Sequence, residues 1–306
     1  MYFRVTDYII GHSNWYKKQF EDAERIKKAP HNLDVINFGS NPAKYGIDYC
    51  ECGMNGYNFA IGPQTIEFDY TMLQNYHTYL RPDGPRLLLL LLFCPFNTCK
   101  DFYTEHDGTV YKNIRYYPIL DKEYIPNYDD FLYDRFIVHP SKLGLKSLYH
   151  ALRHRHGYNA TFDINCNRLS AEEMKCDAKN RIADWKSEFF LDDLTPDNLS
   201  DLVIKSLVYN SDIIVKIKAF CDDHNINVKI VVPPLSKELS DTIPQNFREK
   251  CFYSIIRDKN IPIYDYADDK ELSNNDNFLN SLFLNKKGRV KFTNRVIADI
   301  LKKNND

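Results

Sequence analysis

The chain has 306 residues, 40 Lys and Arg against 42 Asp and Glu, and 43% hydrophobic residues, a profile that buries a real core and excludes a disordered or fibrous protein. Its formal net charge of -2 supplies no overall positive field for nucleic acid or an anionic membrane. The longest apolar run, Leu87 to Phe93, falls far short of the roughly 20 residues of a bilayer span.

The first residues, MYFRVTDYIIG, are interrupted by Arg4 and Asp7 and lack the apolar stretch and cleavage site of a signal peptide, so a cytoplasmic location is expected. Segment Asp34 to Phe38 reads as a first strand, ended by the turn Gly39-Ser40-Asn41-Pro42. A second short run, Tyr57 to Ile61, closes at Gly62-Pro63, and Thr65 to Leu80 spaces its apolar residues as a helix with Thr65 as its cap. Leu87 to Phe93 has the unbroken apolar character of a central parallel strand and stops at Cys94-Pro95. Residues 98 to 200 are aromatic and polar without a strand pattern, and we read them as an insertion, helical at Ser141 to His154 and Ser170 to Phe190. Alternation then resumes with a helix over Leu202 to His224 and a strand over Val228 to Val232. A helix over Phe247 to Asp258, a strand over Pro262 to Tyr266 and a closing helix over Lys291 to Lys303 follow. Five strands separated mostly by helices imply a parallel sheet covered on both faces. No repeat or linker divides the chain, which suggests one domain over 1–306 with the insertion inside it.

Eight cysteines, Cys50, Cys52, Cys94, Cys99, Cys166, Cys176, Cys221 and Cys251, are expected to be free thiols, since a chain of this length needs no disulfide staples. Their spacings match no zinc pattern, and no Gly-rich phosphate loop is present, so neither a metal nor a cofactor is expected.

In an open parallel sheet, ligands bind beyond the carboxyl ends of the strands. There the sequence places Gly39-Ser40-Asn41, Gly62-Pro63-Gln64, Cys94-Pro95-Phe96-Asn97 and Pro233-Pro234-Leu235-Ser236. A serine on a tight strand-to-helix turn suits an acyl-transfer nucleophile, and the Gly62 N–H with the Asn97 amide would complete a donor cluster for an oxyanion. The competing reading is that Ser40 only caps a helix opening near Pro42. Asn41, Gln64 and Lys44, beside these residues, are candidate substrate contacts; Lys44, four residues after Ser40, is also a candidate base if the turn enters a helix directly.

The order Asn-Phe-Gly39-Ser40-Asn-Pro-Ala-Lys-Tyr-Gly, then Asn-Phe-Ala-Ile-Gly62-Pro-Gln, then a strand ending before Asn97 resembles the SGNH (GDSL-like) hydrolase superfamily. It is most similar to divergent members from bacterial capsular and other cell-surface polysaccharide gene clusters. The resemblance implies a three-layer α/β/α fold with a flavodoxin-like five-stranded sheet. It also implies Ser40 as nucleophile, with Gly62 and Asn97 as oxyanion donors. It covers about the first 100 and last 80 residues.

The family's C-terminal Asp-x-x-His falls on Asn280-Ser281-Leu282-Phe283, and phenylalanine accepts no proton. His139, at a loop edge after Phe136-Ile137-Val138, is the replacement base we favour. Asp265, Asp268 and Asp269 follow the last strand and are candidates to orient it. The cluster Arg153-His154-Arg155-His156 suits a substrate phosphate or uronate, or is a solvated face.

The resulting expectation is an esterase or O-acyltransferase acting on cell-surface carbohydrate, its partner a glycan or a small acylated molecule. Two alternatives stand beside it. One is a non-catalytic carbohydrate-binding or scaffold protein on an eroded hydrolase fold. The other is a sugar-modifying transferase without covalent serine chemistry, in which some of the 22 Tyr and 19 Phe residues stack on sugar.

Overall fold

The computed structural model describes residues 2–100, 113–154 and 168–303. By its internal contacts the chain falls into two compact units, Met1–Ala29 with Glu105–Asp163, and Pro30–Thr104 with Ile164–Asp306. The stretch 98–200 is thereby divided between the two.

The first unit carries helices α1 (Tyr2–His12), α2 (Asn14–Gln19) and α3 (Glu21–Ile26) in its leading segment. Ser13 separates α1 from α2 and caps the latter, its hydroxyl accepting the Tyr16 N–H. The second unit then begins with β1 (Val35–Gly39), α4 (Asn41–Lys44), β2 (Gly56–Asn58), α5 (Ile66–Tyr76) and β3 (Leu87–Leu91). The returning segment of the first unit adds α6 (Asp130–Tyr133) and α7 (Leu145–Arg153), and Ile10, Phe20, Ile26, Tyr116, Leu132 and Ala151 are among its buried residues. The second unit resumes with α8 (Ala171–Glu188), α9 (Asp201–Asp223), β4 (Asn227–Val232), α10 (Lys237–Ser240), α11 (Gln245–Arg248) and α12 (Ser254–Ile256), and ends with β5 (Ile263–Asp265) and α13 (Lys286–Lys303).

The five strands form one all-parallel sheet in the order β2-β1-β3-β4-β5. With helices on both faces this is the three-layer, flavodoxin-like arrangement. Register pairs Val35 with Leu87 and Gly39 with Leu91, and Leu91 with Val231. Successive residues of a strand face opposite sides. Val35, Leu87, Leu89, Leu91, Val231 and Tyr264 accordingly share one apolar cluster with Phe292, Val296, Ile297 and Ile300 of α13. The alternate set, Ile36, Phe38, Leu88, Leu90 and Ile230, is equally buried, on the side where α5 meets β1, α9 meets β4, and α5 packs on α9. Every residue of β3 is buried, which is why its sequence is a run of leucines rather than an alternation.

Four local expectations are corrected. The second strand leaves the ladder after Asn58 because the Asn58 side chain replaces a strand partner, its Oδ1 accepting the Ala60 N–H at 3.0 Å. Thr65 stands before α5 in extended conformation without a capping bond. The helical stretch read from Phe247 begins at Gln245 and widens into a π turn at Glu249–Tyr253. The last helix starts at Lys286, not Lys291, because Asn285 caps it by accepting the Gly288 N–H at 2.9 Å.

Among the described residues no helix is long and apolar enough to cross a membrane, and the seven described cysteines form no disulfide. Cys166 lies outside the described residues.

Candidate functional site

β1 ends at Gly39 with φ of +136°, a conformation open to glycine. A Cβ at this position would stand 2.6 Å from the Leu91 carbonyl oxygen and 2.7 Å from the Ala43 Cβ. The strand therefore turns directly into α4, with Ser40 as the residue preceding it. Asn58 ties the other end of α4: its Nδ2 donates to the carbonyls of Ala43 and Lys44 at 3.0 and 3.2 Å. Its Oδ1 accepts from the buried Asn37 Nδ2 at 2.9 Å. The helix that follows Ser40 is thus tied down at its far end by Asn58 of β2, which Asn37 of β1 holds in place.

Ser40 occupies the capping position of α4, yet its hydroxyl makes no bond to that helix. Instead the Gln64 backbone N–H donates to Ser40 Oγ at 3.1 Å. Asn41 covers Gly62 so closely that a Cβ there would fall 1.5 Å from Asn41 Oδ1, so the carboxamide fills the volume a side chain at position 62 would need. Ser40, Asn41, Gly62 and Gln64 form one contiguous group. Asn97 lies in the turn after β3, and its Oδ1 accepts the Phe93 N–H at 2.6 Å, which leaves the Nδ2 end to donate. Ser40, Gly62 and Asn97 follow the adjacent strands β1, β2 and β3. The chain reverses its direction across the sheet between β1 and β3, the switch point at which such sheets bind ligands.

The sequence reading missed Asp69. This carboxyl is buried in α5, and its Oδ1 accepts from the Gln64 side-chain amide. Its Oδ2 is buried with no hydrogen-bond partner. Burial pushes the carboxyl up to about 8, against the opposing influence of the Gln64 amide and the Gly39 N–H. Gln64 therefore uses its peptide N–H on Ser40 and its side chain on a buried acid. A signal for Asp69 was present: it stands three residues after Ile66 and four before Leu73, on the apolar face of the helix.

Lys44 does follow Ser40 through a helical turn, but its Nζ lies over the Tyr45 ring, 5.2 Å from the centroid. His139 belongs to the other unit, where its Nδ1 is 3.4 Å from Asp7 Oδ2 and its Nε2 is 3.9 Å from Asp134 Oδ1. The three aspartates at and beyond the end of β5 are already engaged. Asp265 accepts the Ala267 N–H, Asp268 takes both contacts of Arg248 Nη1 at 3.0 Å, and Asp269 accepts the N–H groups of Glu271 and Leu272. Of the basic cluster, Arg153 Nη1 donates to the Tyr149 hydroxyl at 3.3 Å and the His154 ring stacks on that of His150. Arg155 and His156 lie outside the described residues.

No protein-family model matches the chain, and no curated protein matches it significantly.

In the segment Asn280–Phe283, Asn280 Oδ1 accepts the N–H groups of Leu282 and Phe283 at 3.0 and 2.8 Å, closing a turn. The Phe283 ring meets Tyr45 at 5.0 Å, and the Arg181 guanidinium lies over it at 5.3 Å. Arg181 is held there by Asp177 at 2.8 Å, which also binds Ser281. Burial alone would raise Asp177, and the hydrogen bonds from Arg181 and Ser281 outweigh it, so its carboxyl lies below the usual range. Among the described residues the Ser40 hydroxyl proton has no acceptor. Chemically, the site offers a hydroxyl with a preset donor beside it, and amides from two neighbouring turns. A polar cleft of about 590 Å³ opens after β4 and β5, lined by residues including Lys237, Ser240, Asp268 and Asn275.

Proposed function

We propose that the protein is an SGNH-like esterase or O-acyltransferase with Ser40 as nucleophile, acting in the cytoplasm on cell-surface polysaccharide or its precursors. One observation carries this reading. A serine at a helix start ordinarily spends its hydroxyl on capping, whereas Ser40 Oγ is turned away from α4 and receives the Gln64 N–H. The contact fixes Ser40 Oγ and leaves its proton uncommitted, as an attacking serine requires, while the oxyanion would form on the substrate carbonyl, for which the Gly62 N–H and the Asn97 amide are the candidate donors. Gly62, Asn41 and Asn97 stand at the same sheet end and supply further amides, and the polar cleft after β4 and β5 suits a hydroxyl-rich substrate. Hydrolysis and transfer share the acyl-serine and differ only in whether water or a sugar hydroxyl receives the acyl group.

A second reading has its own support. Phe283, packed between Tyr45 and Arg181, stands where the resemblance would put a histidine, which would fit a hydrolase fold retained for glycan binding alone.

Intact-mass labelling with a fluorophosphonate probe separates the two. Covalent catalysis predicts labelling at one site per chain that disappears in Ser40→Ala and persists in Phe283→Ala. A folded wild-type protein that takes no label would move the reading to glycan binding.

A further inference from the structure

In the first unit α1 and α7 pack against each other, and both leave apolar residues in solvent. On α7, Leu145, Tyr149 and Leu152 are 78%, 56% and 54% exposed. Their spacing of four and then three places them on one stripe of the helix, while Ala151 is buried. On α1, Val5 and Tyr8 are 54% and 65% exposed while Thr6 and Ile10 turn inward, and the Tyr8 ring stacks on His12 at 4.0 Å. Leucine and tyrosine presented in rows on two packed helices are not the scattered single apolar residues of an ordinary surface.

Charge decides what covers this face. Although the whole chain carries -2, α1, α2 and α7 bring together Arg4, Lys17, Lys18, Lys146 and Arg153, while Lys142 on the adjoining turn Pro140–Leu143 is paired with Asp134. Their one acidic residue is Asp7, which is occupied by the Ser141 N–H at 2.7 Å and by His139. On α7, Lys146 and Arg153 line one edge of the apolar stripe, and the helix has no acidic residue. The exposed apolar residues of α9 give the contrast: Ile204, Val208 and Val215 share their helix with Asp201, Asp212, Asp222 and Asp223 as well as lysines. An apolar stripe on a helix whose only charged side chains are cationic is the pattern of a helix lying in a membrane interface, its apolar residues among the acyl chains and its cations at the phosphates.

We propose that the α1–α7 face docks the protein on an anionic lipid surface. The binding is peripheral and reversible, since two short helices offer a handful of apolar side chains and a few cations. It weakens with salt, as contacts to lipid phosphates are screened.

The test is co-sedimentation of the full chain with vesicles of phosphatidylcholine alone and of equimolar phosphatidylcholine and phosphatidylglycerol, with light scattering of the protein in solution. The expected result is binding to the anionic vesicles only, lost at high salt. Lys146→Gln and Arg153→Gln should each weaken it about fivefold, and Leu145→Asp with Leu152→Asp should abolish it. All four positions are exposed, so circular dichroism of the variants should match the wild type. Three results would overturn the proposal: no binding to either vesicle, equal binding to both, or variants that bind like the wild type. A dimer in solution that Leu145→Asp dissociates would also overturn it, by assigning the face to a second copy. Ser40 belongs to the other unit, so labelling of Ser40 and vesicle binding succeed or fail independently.

Discussion

Gln64 connects the reactive end of the site to the interior, because one residue donates to both Ser40 Oγ and the buried Asp69. Asp69 is protonated in the folded chain up to about pH 8 and ionises near 4 when unfolded. Between those values the native state binds the extra proton, so its contribution to stability falls as pH rises, by about 1.4 kcal/mol per pH unit at most. Asp69→Asn should remove that slope, and denaturant titrations of wild type and variant at pH 5 and pH 8 should show the variant gaining relative to wild type at the higher pH. Gly62 and Asn41 make a second linked pair. Gly62→Ala displaces the Asn41 carboxamide, the far end of a short side chain, rather than the backbone. If Asn41 contributes to the site, Gly62→Ala and Asn41→Ala should slow fluorophosphonate labelling similarly, and the double variant should be no slower than either. Additive losses would mean the two act separately.

Among the elements, the five strands were legible because each is a short apolar or β-branched run bounded by Gly, Pro or Asn, β5 only at its start by Asn260 and Pro262, and the leucine run marked the strand buried on both faces. The longer helices of the sheet unit, α5, α8, α9 and α13, were legible from their apolar spacing, and α8 carries a reciprocal cap, Ser170 with Glu173, consistent with its expected start. What periodicity could not show lay where side chains replace it. Residues Lys286 to Val290 are mostly polar, so the first turn of α13 was invisible, and only the Asn285 cap places it. Asn285→Ala should cost about 1 kcal/mol, read as a lower denaturation midpoint with an unchanged slope. The site was half legible for a similar reason. Ser40, Gly62 and Asn97 were singled out as candidates because ligands bind at the strand ends of such sheets, whereas the Gln64 contact depends on how a loop folds back over 24 residues, and no spacing rule encodes it. The stretch between β3 and α8 was the least legible, since its short turns are set by contacts among aromatic residues such as Tyr117, Tyr128 and Tyr133.

At the level of the whole molecule, the two tryptophans fall one in each unit. Trp15 stacks near His150 at 5.8 Å, and Trp185 packs on Phe93 and Phe96. Units with separate cores unfold separately unless strongly coupled. The single-tryptophan variants Trp185→Phe and Trp15→Phe should therefore report different urea midpoints, and Ile26→Ala should lower the midpoint seen by Trp15 by the equivalent of about 2–5 kcal/mol while sparing that seen by Trp185. Coincident transitions in all variants would mean one cooperative block.

The first unit is assembled from Met1–Ala29 and Glu105–Asp163, with Pro30–Thr104 belonging elsewhere, and this has a consequence on the ribosome. The opening helices emerge with Ile10, Phe20 and Ile26 uncovered, and the residues that complete their unit are not yet translated. At 5–20 residues per second the delay is on the order of 5 to 15 s, far longer than the microseconds a helix needs to form. During synthesis the nascent chain thus displays helical, apolar segments, and chaperones that hold such segments should bind them until the second half of the unit arrives.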